Sequence, residues 1–326
     1  MLTGLYDKSI PTIEDYSADL TASDTVARYW LRIISDPLGQ PVCIPVIVAR
    51  GAHDGPVLGI TAAVHGNELN GISVIQRLFS DIDTSELHGT LIGVPVANVP
   101  AFIRKKRRFN DGTDLNHIMP GKVDGNISQL YAHRFFHRLI VHFDALVDLH
   151  TASTGRINSY YIRADMSQSS TRDLANVQNA EIIVHNPPSD GTLRGAAAEI
   201  DIPAITIEVG NPNLFQKRFI RSGVEGIHNT LCHMGMIKEE LIANERETVL
   251  CSSSHWIYTH KGGLLSVKAD ILDQLKAGDS LATLRDVFGD TIHEYHTAHD
   301  GIVIGRSVNP VTQSGGRIIH LGRIDK

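Results

Sequence analysis

Continuous apolar runs alternate along most of this chain with segments whose apolar residues recur every three to four positions. The runs are typical of strands buried on both faces of a sheet; they are 57–64, 90–96, 143–149, 181–184 and 204–209. The three-to-four spacing predicts helices over 68–79, 129–141, 193–199 and 223–234. Strands that alternate with helices indicate an α/β fold, a three-layer sandwich around a mixed, mainly parallel sheet.

Two parts of the chain depart from this alternation. Residues 32–49 read as a strand pair around the turn Asp36-Pro37-Leu38-Gly39. After about residue 247, short β-type segments are separated by glycine-containing turns such as Lys261-Gly262-Gly263 and Ser314-Gly315-Gly316. This pattern predicts a small all-β domain of barrel-sandwich type. We therefore divide the chain into an α/β domain over 1–247 and a β-rich domain over 248–326.

Composition limits the classes of protein that fit. Apolar residues make up 42% of the 326 positions, enough for a large core, and the net charge of -6 argues against general affinity for nucleic acid. Three cysteines without a CxxC pair indicate reduced thiols. The segment 1–15 lacks the apolar stretch of an export signal, and no apolar run approaches the roughly 20 residues that cross a bilayer. We expect a cytoplasmic protein without a membrane or nucleic-acid partner.

Candidate chemistry lies at the ends of two predicted strands. His65-Gly66-Asn67-Glu68 directly follows the run 57–64, and His150 closes the run 143–149. The carboxyl ends of parallel strands meet at one edge of a sheet, where functional crevices form. Two imidazoles and a carboxylate suit one Zn²⁺ ion with a coordination position left open for water. The chain has 17 histidines, so a chance HxxE pattern without metal is the alternative interpretation.

Four motifs in chain order resemble a known family. They are Val64-His65-Gly66-Asn67-Glu68, Asp114-Leu115-Asn116, Asp148-Leu149-His150-Thr151 and Ile207-Glu208-Val209-Gly210-Asn211-Pro212. Together they resemble the motif set of the succinylglutamate desuccinylase/aspartoacylase family, a branch of the zinc carboxypeptidase-like fold. The resemblance extends from about residue 45 through the β-rich end. It implies zinc ligands at His65, Glu68 and His150.

The resemblance also implies roles for three acidic residues. Glu208, at the end of the strand 204–209, resembles the general acid/base that moves a proton from water to the leaving nitrogen. Its alternative is a surface glutamate at a strand terminus. Asp114 resembles the carboxylate that orients the first zinc histidine. Asp148 competes for a similar role beside His150, with a hydrogen bond at the sheet end as the alternative.

A basic run, Arg104-Lys105-Lys106-Arg107-Arg108, has three interpretations. It is a nucleic-acid or targeting patch, a solvated loop, or the source of one arginine that stabilises a developing oxyanion. We favour the third for Arg108, because the family carries an arginine shortly before its Asp-Leu-Asn segment. The register against Arg107 is left open.

Substrate contacts are predicted from three further positions. The family commonly follows Asp-Leu-Asn with an arginine, and that Asn-Arg pair holds a substrate carboxylate. Here Asn116 is followed by His117, which offers fewer donors and a charge that depends on pH. Arg194 resembles a substrate-binding arginine of related acylases, with an ordinary surface arginine as the alternative, and Arg163 is a weaker candidate. We do not expect a second metal site at His293, His296 and His299, because their helical spacing lies in a strand-like region.

These observations predict a zinc hydrolase that removes an acyl group from an N-acyl amino acid or a related small anionic amide. Two alternatives remain at this point. One is a zinc carboxypeptidase that acts on peptides, against which His117 and the β-rich domain both count. The other is an idle homologue that binds zinc and an anion without turnover, which would be expected to lack Glu208. The identity of the acyl group, and whether the chain forms a homo-oligomer, stay open.

Overall fold

A computed structural model describes residue 7 and residues 9–188, 191–244 and 246–324. These residues form nineteen strands and six α-helices. The helices are α1 (Asn70–Asp81), α2 (Val99–Ile103), α3 (Ile127–Arg138), α4 (Ser169–Asn176), α5 (Leu193–Ala198) and α6 (Lys217–His233). Within the described ranges, no helix has both the length and the apolar character needed to cross a membrane.

Eleven of the strands lie in the α/β part of the chain or at its edge. They are β1 (Thr12–Ile13), β2 (Thr25–Ser35), β3 (Pro41–Arg50), β4 (His53–Ala62), β5 (His88–Val94), β6 (Ala145–His150), β7 (Arg156–Asn158), β8 (Tyr160–Ala164), β9 (Ile182–His185), β10 (Ala204–Val209) and β11 (Val249–Cys251). The eight strands that follow them are β12 (Ser253–Tyr258), β13 (Gly263–Val267), β14 (Gln274–Leu275), β15 (Ser280–Arg285), β16 (Thr291–His296), β17 (Gly301–Ser307), β18 (Val311–Thr312) and β19 (Arg317–Arg323).

A ten-stranded mixed sheet forms the centre of the molecule. Its order is β1-β2-β3-β5-β4-β6-β10-β8-β9-β11. The pairs β3–β5, β2–β3 and β10–β8 are antiparallel, and the other six pairs are parallel. The strands β4, β6 and β10 are parallel neighbours, so their carboxyl ends meet at one edge of the sheet.

Helices cover both faces of this sheet. On one face, α1, α4 and α6 pack with alternate side chains of β4, β6 and β10 in a large apolar cluster that includes Ile60, Val147 and Ile207. On the other face, α3 packs against β2, and α5 packs against β6 and β10. Burial on both faces explains why the central strands read as continuous apolar runs rather than as alternating ones. The predicted three-layer α/β sandwich is confirmed.

Two smaller antiparallel sheets occupy the C-terminal end. One has the order β12-β19-β17-β14, with β7 paired to β17, and the other has the order β16-β15-β13-β18. Their facing side chains form a separate apolar cluster, as expected for the predicted barrel-sandwich. The predicted division after residue 247 stays a prediction. Strands near it are shared, because β11 pairs with β9 in the large sheet and β7 joins a C-terminal sheet.

Most predicted elements coincide with observed ones within a few residues, and the hairpin around residues 36–39 is present as β2 and β3. However, α6 begins six residues before its predicted start, and β2 begins seven residues before its own. The sequence interpretation missed α2 and α4 and did not recognise β7 or β8 as strands. β7 has three residues, too few to show a period. β8 lies between β10, to which it is antiparallel, and β9, to which it is parallel. Such short segments become strands through their partners, which the chain supplies elsewhere.

Candidate metal centre

Three adjacent strands bring the predicted zinc ligands and Glu208 to one edge of the sheet. His65 lies in the turn that leaves β4, His150 is the last residue of β6, and Glu208 is the fifth residue of β10. The register pairs Glu208 with His150, so both leave the sheet at the same level. The apolar runs end where polar side chains begin, which is why the sequence pattern could locate this edge.

The turn after β4 depends on Gly66. A Cβ atom at this position would lie 2.2 Å from the backbone carbonyl carbon of Ala101, at α2. Only glycine permits so close an approach of two backbone segments. The turn closes with a hydrogen bond from the Glu68 backbone N–H to the His65 carbonyl oxygen at 3.0 Å. Glu68 therefore folds back beside His65 before α1 begins.

The three predicted ligands converge on one point. The Nδ1 atoms of His65 and His150 lie 3.1 Å apart. Glu68 Oε1 lies 3.0 Å from Nδ1 of His65, and its Oε2 lies 3.0 Å from Nδ1 of His150. All three side chains are buried. Within the described residues, this is the one group of three or more histidine, cysteine, aspartate or glutamate side chains with metal-binding spacing.

The outer nitrogen of each imidazole is held by a carboxylate. His65 Nε2 donates to Asp114 Oδ1 at 2.9 Å, and His150 Nε2 donates to Asp148 Oδ2 at 2.6 Å. Asp148 is held in turn by the Thr61 hydroxyl at 2.7 Å. A carboxylate can only accept, so each Nε2 carries a hydrogen. In the neutral imidazole, the form that binds metal, each Nδ1 therefore presents a lone pair.

The donor set fits a zinc ion. Two Nδ1 lone pairs and two carboxylate oxygens face one another within a buried space, an arrangement that repels itself unless a positive charge lies among them. Tetrahedral zinc with bonds of about 2.0–2.1 Å separates two nitrogen ligands by about 3.3 Å, close to the spacing here. The paired carboxylates behind the imidazoles are the usual support of metal-bound histidines.

Electrostatics at these residues favour positive charge between them. Burial would raise the pKa of Glu68, but His65 and His150 hold it well below its usual range. Burial would lower the pKa of His150, but Asp148 and Glu68 raise it well above its ordinary value. The backbone N–H of Thr151 donates to Glu68 Oε2 at 3.0 Å and helps to keep this carboxylate ionised.

Arg107, and not Arg108, contacts the cluster. Arg107 Nη1 donates to Glu68 Oε1 at 2.8 Å, and its Nε donates to Asp114 Oδ2 at 3.2 Å. Arg108 is exposed, and its Nη1 donates to the carbonyl oxygen of Gly112 at 3.1 Å. The preference for Arg108 is therefore corrected to Arg107 for the contact with the cluster, although both side chains line the cavity. Side-chain directions in an irregular loop follow no period, so the sequence could not reveal which arginine reaches Glu68.

Glu208 lies in a buried polar setting. Asn158 Nδ2 donates to its Oε2 at 3.1 Å, and Arg163 Nε lies 3.8 Å from its Oε1. Burial raises the pKa of Glu208, while the charge of Arg163 opposes this and the charge of Glu68 adds to it. A raised pKa makes the protonated form of a carboxyl group easier to reach, which suits a group that accepts and then releases a proton.

The predicted substrate residues line the same cavity. Asn116 Oδ1 accepts the backbone N–H of Leu193 at 2.8 Å, which ties the Asp114–His117 loop to α5. Arg194 is buried and donates to the carbonyl and side-chain oxygens of Asn186, at 2.8 Å each. Burial lowers the pKa of Arg194 to about 10, so it stays cationic at neutral pH. His117 is largely exposed, with its Nε2 4.0 Å from Asp114 Oδ2.

The cavity above these groups has a volume of about 560 Å³, the size of a small-molecule site. Sequence reasoning missed several of its lining residues, namely Asn158, Tyr161, Arg156, Trp256 and Arg317. They come from β7, β8 and the C-terminal sheets, and none lies in a motif that could have revealed them. The expectation that His293, His296 and His299 bind no second metal stays a prediction.

Comparisons with known proteins agree with this geometry. The family profile described as "Succinylglutamate desuccinylase/Aspartoacylase catalytic domain" matches residues 54–234, more than half of the chain. The chain is 25% identical over 313 residues to an N-alpha-acetyl-L-2,4-diaminobutyric acid deacetylase of Halomonas elongata, covering 87% of this chain and 86% of that protein. It is 28% identical over 180 residues to a succinylglutamate desuccinylase of Pseudomonas paraeruginosa, covering 51% of this chain and about half, 54%, of the relative.

Solved structures share the fold. The product-bound ectoine utilization protein EutE (DoeB) from Ruegeria pomeroyi superimposes with a TM-score of 0.84 and 25% identity, covering 92% of this chain and 96% of that one. A succinylglutamate desuccinylase from Silicibacter sp. TM1040 superimposes with a TM-score of 0.83 and 23% identity, covering 94% and 97%. The curated relatives are deacylating hydrolases of small N-acyl amino acids. The chain belongs to the succinylglutamate desuccinylase/aspartoacylase family.

Proposed function

We propose that the protein is a cytoplasmic zinc-dependent amidohydrolase that removes the acyl group from an N-acyl amino acid or a similar small amide. The observation that carries this proposal is the convergence of His65, Glu68 and His150 beside Glu208 at the ends of three adjacent strands. Acyl-amino acid hydrolysis is the activity named for the curated relatives, both of which act on small molecules.

The three ligands would hold one zinc ion, with Asp114 and Asp148 fixing the imidazoles behind it. Bound there, the ion would supply a Lewis acid that activates water and polarises the substrate carbonyl. The chain contributes the geometry for this chemistry. The rings cannot rotate without losing their carboxylate partners, so the ligand atoms are held in place before the ion arrives.

Glu208 moves the proton. Its ionised form accepts a proton from the attacking water, and its protonated form then gives that proton to the nitrogen of the leaving amino acid. The hydrogen bond from Asn158 to Oε2 orients the carboxylate for this transfer. Burial keeps the protonated form accessible, since it raises the pKa of this side chain.

Arg107 stabilises the oxyanion that develops on the carbonyl. Its guanidinium is fixed by Glu68, Asp114 and Ser153, and it lines the cavity with about a third of the side chain exposed. Such pre-positioned donors are effective because they need no reorganisation during the reaction. Asn116 and Arg194 orient the substrate, with Arg194 as the buried cation that replaces the family arginine missing at His117.

The size of the cavity supports a small substrate over a peptide. Trp256 and Arg317 from the C-terminal sheets form part of its wall, so the site is not an open cleft along the surface of the α/β part. This arrangement disfavours the carboxypeptidase alternative, and the presence of Glu208 disfavours an idle homologue.

The test is a deacylation screen across N-acetyl, N-succinyl and N-formyl amino acids, with release of the free amine as the signal. We expect turnover of at least one N-acyl amino acid, its loss after chelation and its recovery when zinc is added. Elemental analysis is expected to find about one zinc per chain. The His65→Ala variant should lose both metal and turnover, whereas His53→Ala, an exposed histidine at the start of β4, should keep both.

Two results would contradict the proposal. One is turnover that is unchanged by removal of all bound metal. The other is release of C-terminal residues from short peptides by a zinc-loaded protein that deacylates no N-acyl amino acid.

A further inference from the structure

Two arginines at the rim of the cavity lack any anionic partner. Arg156 on β7 and Arg317 at the start of β19 both line the cavity. Among the described residues, neither guanidinium has a carboxylate within 4.0 Å, and neither donates a side-chain hydrogen bond. Both instead lie against the indole of Trp256, with their guanidinium carbons 5.5 Å and 5.3 Å from the ring centroid.

The other arginines of the cavity are committed to partners. Arg107 is held by two carboxylates, Arg163 by the Tyr161 hydroxyl and Arg194 by Asn186. Arg108 donates to the carbonyl oxygen of Gly112. The rim pair therefore stands apart, since both cations lie against one indole and neither has a carboxylate partner among the described residues. Burial, and then the charges of Arg317 and Arg107, lower the pKa of Arg156.

Secondary structure fixes the positions of this pair. Arg156 is paired through β7 to Ser307 on β17, which joins it to a C-terminal sheet. Trp256 on β12 stacks on His320 of β19 with centroids 5.0 Å apart and an interplanar angle of 8°. A flat indole held in this way carries two cations on its surface at little entropic cost. The arrangement resembles a prepared anion site more than two solvated surface arginines.

The strand geometry relates this pair to the reacting groups. Arg156 and Asn158 are two residues apart on β7, so their side chains leave the same face of the strand, about 7 Å apart along the backbone. Asn158 contacts Glu208. A substrate carboxylate bound by Arg156 would therefore lie near Glu208, because Asn158, the neighbouring side chain on the same face of β7, contacts Glu208.

We propose that Arg156 and Arg317, supported by Trp256, form a carboxylate-binding subsite that selects substrates carrying a carboxylate on the arm that reaches the C-terminal sheets. This inference rests on the proposed deacylase function and names the substrate class within it. The two guanidinium groups bind the carboxylate oxygens with charge-assisted hydrogen bonds. Trp256 is a positioning residue that keeps both guanidinium groups at the rim.

A binding experiment tests the subsite without turnover. The chain contains two tryptophans, so a Trp30→Phe protein reports on Trp256 alone. We titrate this zinc-loaded protein at constant ionic strength with succinate and, separately, with succinamate, in which one carboxylate is an amide. Succinate should bind about tenfold more tightly than succinamate, the worth of one charge-assisted contact, and Arg317→Met should abolish the difference. Equal affinity for the two probes, or a preference that survives in both Arg317→Met and Arg156→Met, would overturn the proposal.

A kinetic experiment tests selection. Two matched substrate pairs place the carboxylate or its amide either in the acyl group (succinyl against succinamoyl) or in the amino-acid side chain (glutamate against glutamine). In at least one pair, Arg317→Met should lower kcat/KM for the carboxylate form by about tenfold, mainly through KM, and leave the amide form within about twofold. Arg285→Met, an exposed arginine on β15 outside the cavity, should change neither. Equal losses on both members of each pair would indicate a structural role and contradict the subsite.

The outcomes separate this inference from the proposed function. If the wild-type protein deacylates no substrate but still prefers succinate through Arg317, the deacylase proposal fails and the anion site remains. If the protein deacylates N-acyl amino acids with no carboxylate preference, the subsite fails and the deacylase proposal remains.

Discussion

Two regions of the cavity differ in whether their polar side chains have partners. We call the region of His65, Glu68, His150 and Glu208 the floor, and the region of Arg156, Trp256 and Arg317 the rim. At the floor, the titratable side chains have partners: His65 with Asp114, His150 with Asp148, and Glu68 with Arg107. At the rim, Arg156 and Arg317 face an aromatic ring and each other, without an anion in the described structure. Both regions line the same cavity of about 560 Å³.

The difference reflects what each region has to do. Reactive groups must be held in place before substrate arrives, so folding completes their hydrogen bonds. A specificity contact gains the most when its partner is the ligand itself, so its charges stay unpaired until binding. Under the two proposals, the floor carries out deacylation and the rim selects the substrate.

The largest expected effect comes from Glu208→Gln, which removes the proton carrier and keeps the shape of the floor. We expect kcat to fall by about 10²- to 10⁴-fold, the usual worth of general acid/base catalysis, while the zinc content stays unchanged. Glu199→Gln, an exposed carboxyl at the end of α5, is the matched control and should behave as the wild type. Activity within tenfold of the wild type would remove Glu208 from the mechanism.

Substitution of the two neighbouring arginines, one at a time, tests which of them acts at the floor of the cavity. Arg107→Met should lower kcat by about 10²-fold because an oxyanion donor is lost, and Arg108→Met should change it by less than about threefold. Both variants are assayed with the same acyl substrate and their zinc content is measured. The reverse ranking would assign the oxyanion contact to Arg108 instead of Arg107.

Substitution of Asp148, which accepts a hydrogen bond from His150, tests whether this contact orients the imidazole for metal binding. Asp148→Asn weakens the hold on His150 Nε2, and we expect zinc affinity to fall by about 10- to 100-fold in competition with a chelator. Asp173→Asn, an exposed aspartate on α4, is the control. An unchanged affinity would mean that Asp148 has only a structural role at the end of the sheet.

The smallest expected effect concerns His320, which stacks on Trp256, and its contribution to the free energy of unfolding. Burial, and then the charge of Arg163, lowers the pKa of His320 well below its ordinary value of 6.5; His255, Arg317 and Arg156 act in the same direction. The unfolded chain therefore binds a proton more readily than the folded chain. The contribution of His320 to the free energy of unfolding is complete above about pH 6.5 and is lost as the pH falls below it.

His320→Gln should consequently show a smaller loss of unfolding free energy between about pH 7.5 and about pH 5 than the wild type. Chemical denaturation at the two pH values measures this difference, and His296→Gln, an exposed histidine on β16, should retain the wild-type loss. An equal loss in His320→Gln and the wild type would show that His320 carries no such linkage.

Much of the fold and of the floor could be predicted because the signals are local. The apolar runs of β4, β6 and β10 end in the residues that form the site, so strand, ligand and spacing can be read from neighbouring positions. The sequence could not distinguish the role of Arg107 from that of Arg108. Both lie in a loop, where side-chain directions follow no regular period. β7 and β8 were missed since their pairing partners lie far away in the chain.

By itself, the sequence determined the alternation of buried strands and helices, the edge at which histidines and carboxylates collect, and the family that its motifs resemble. Only the tertiary structure decided which arginine reaches Glu68, and that Arg156, Trp256 and Arg317 meet at one rim. The physical reason is the range of the interactions. Burial patterns and turns act between neighbours along the chain, whereas a rim built from β7, β12 and β19 exists only after distant strands have paired.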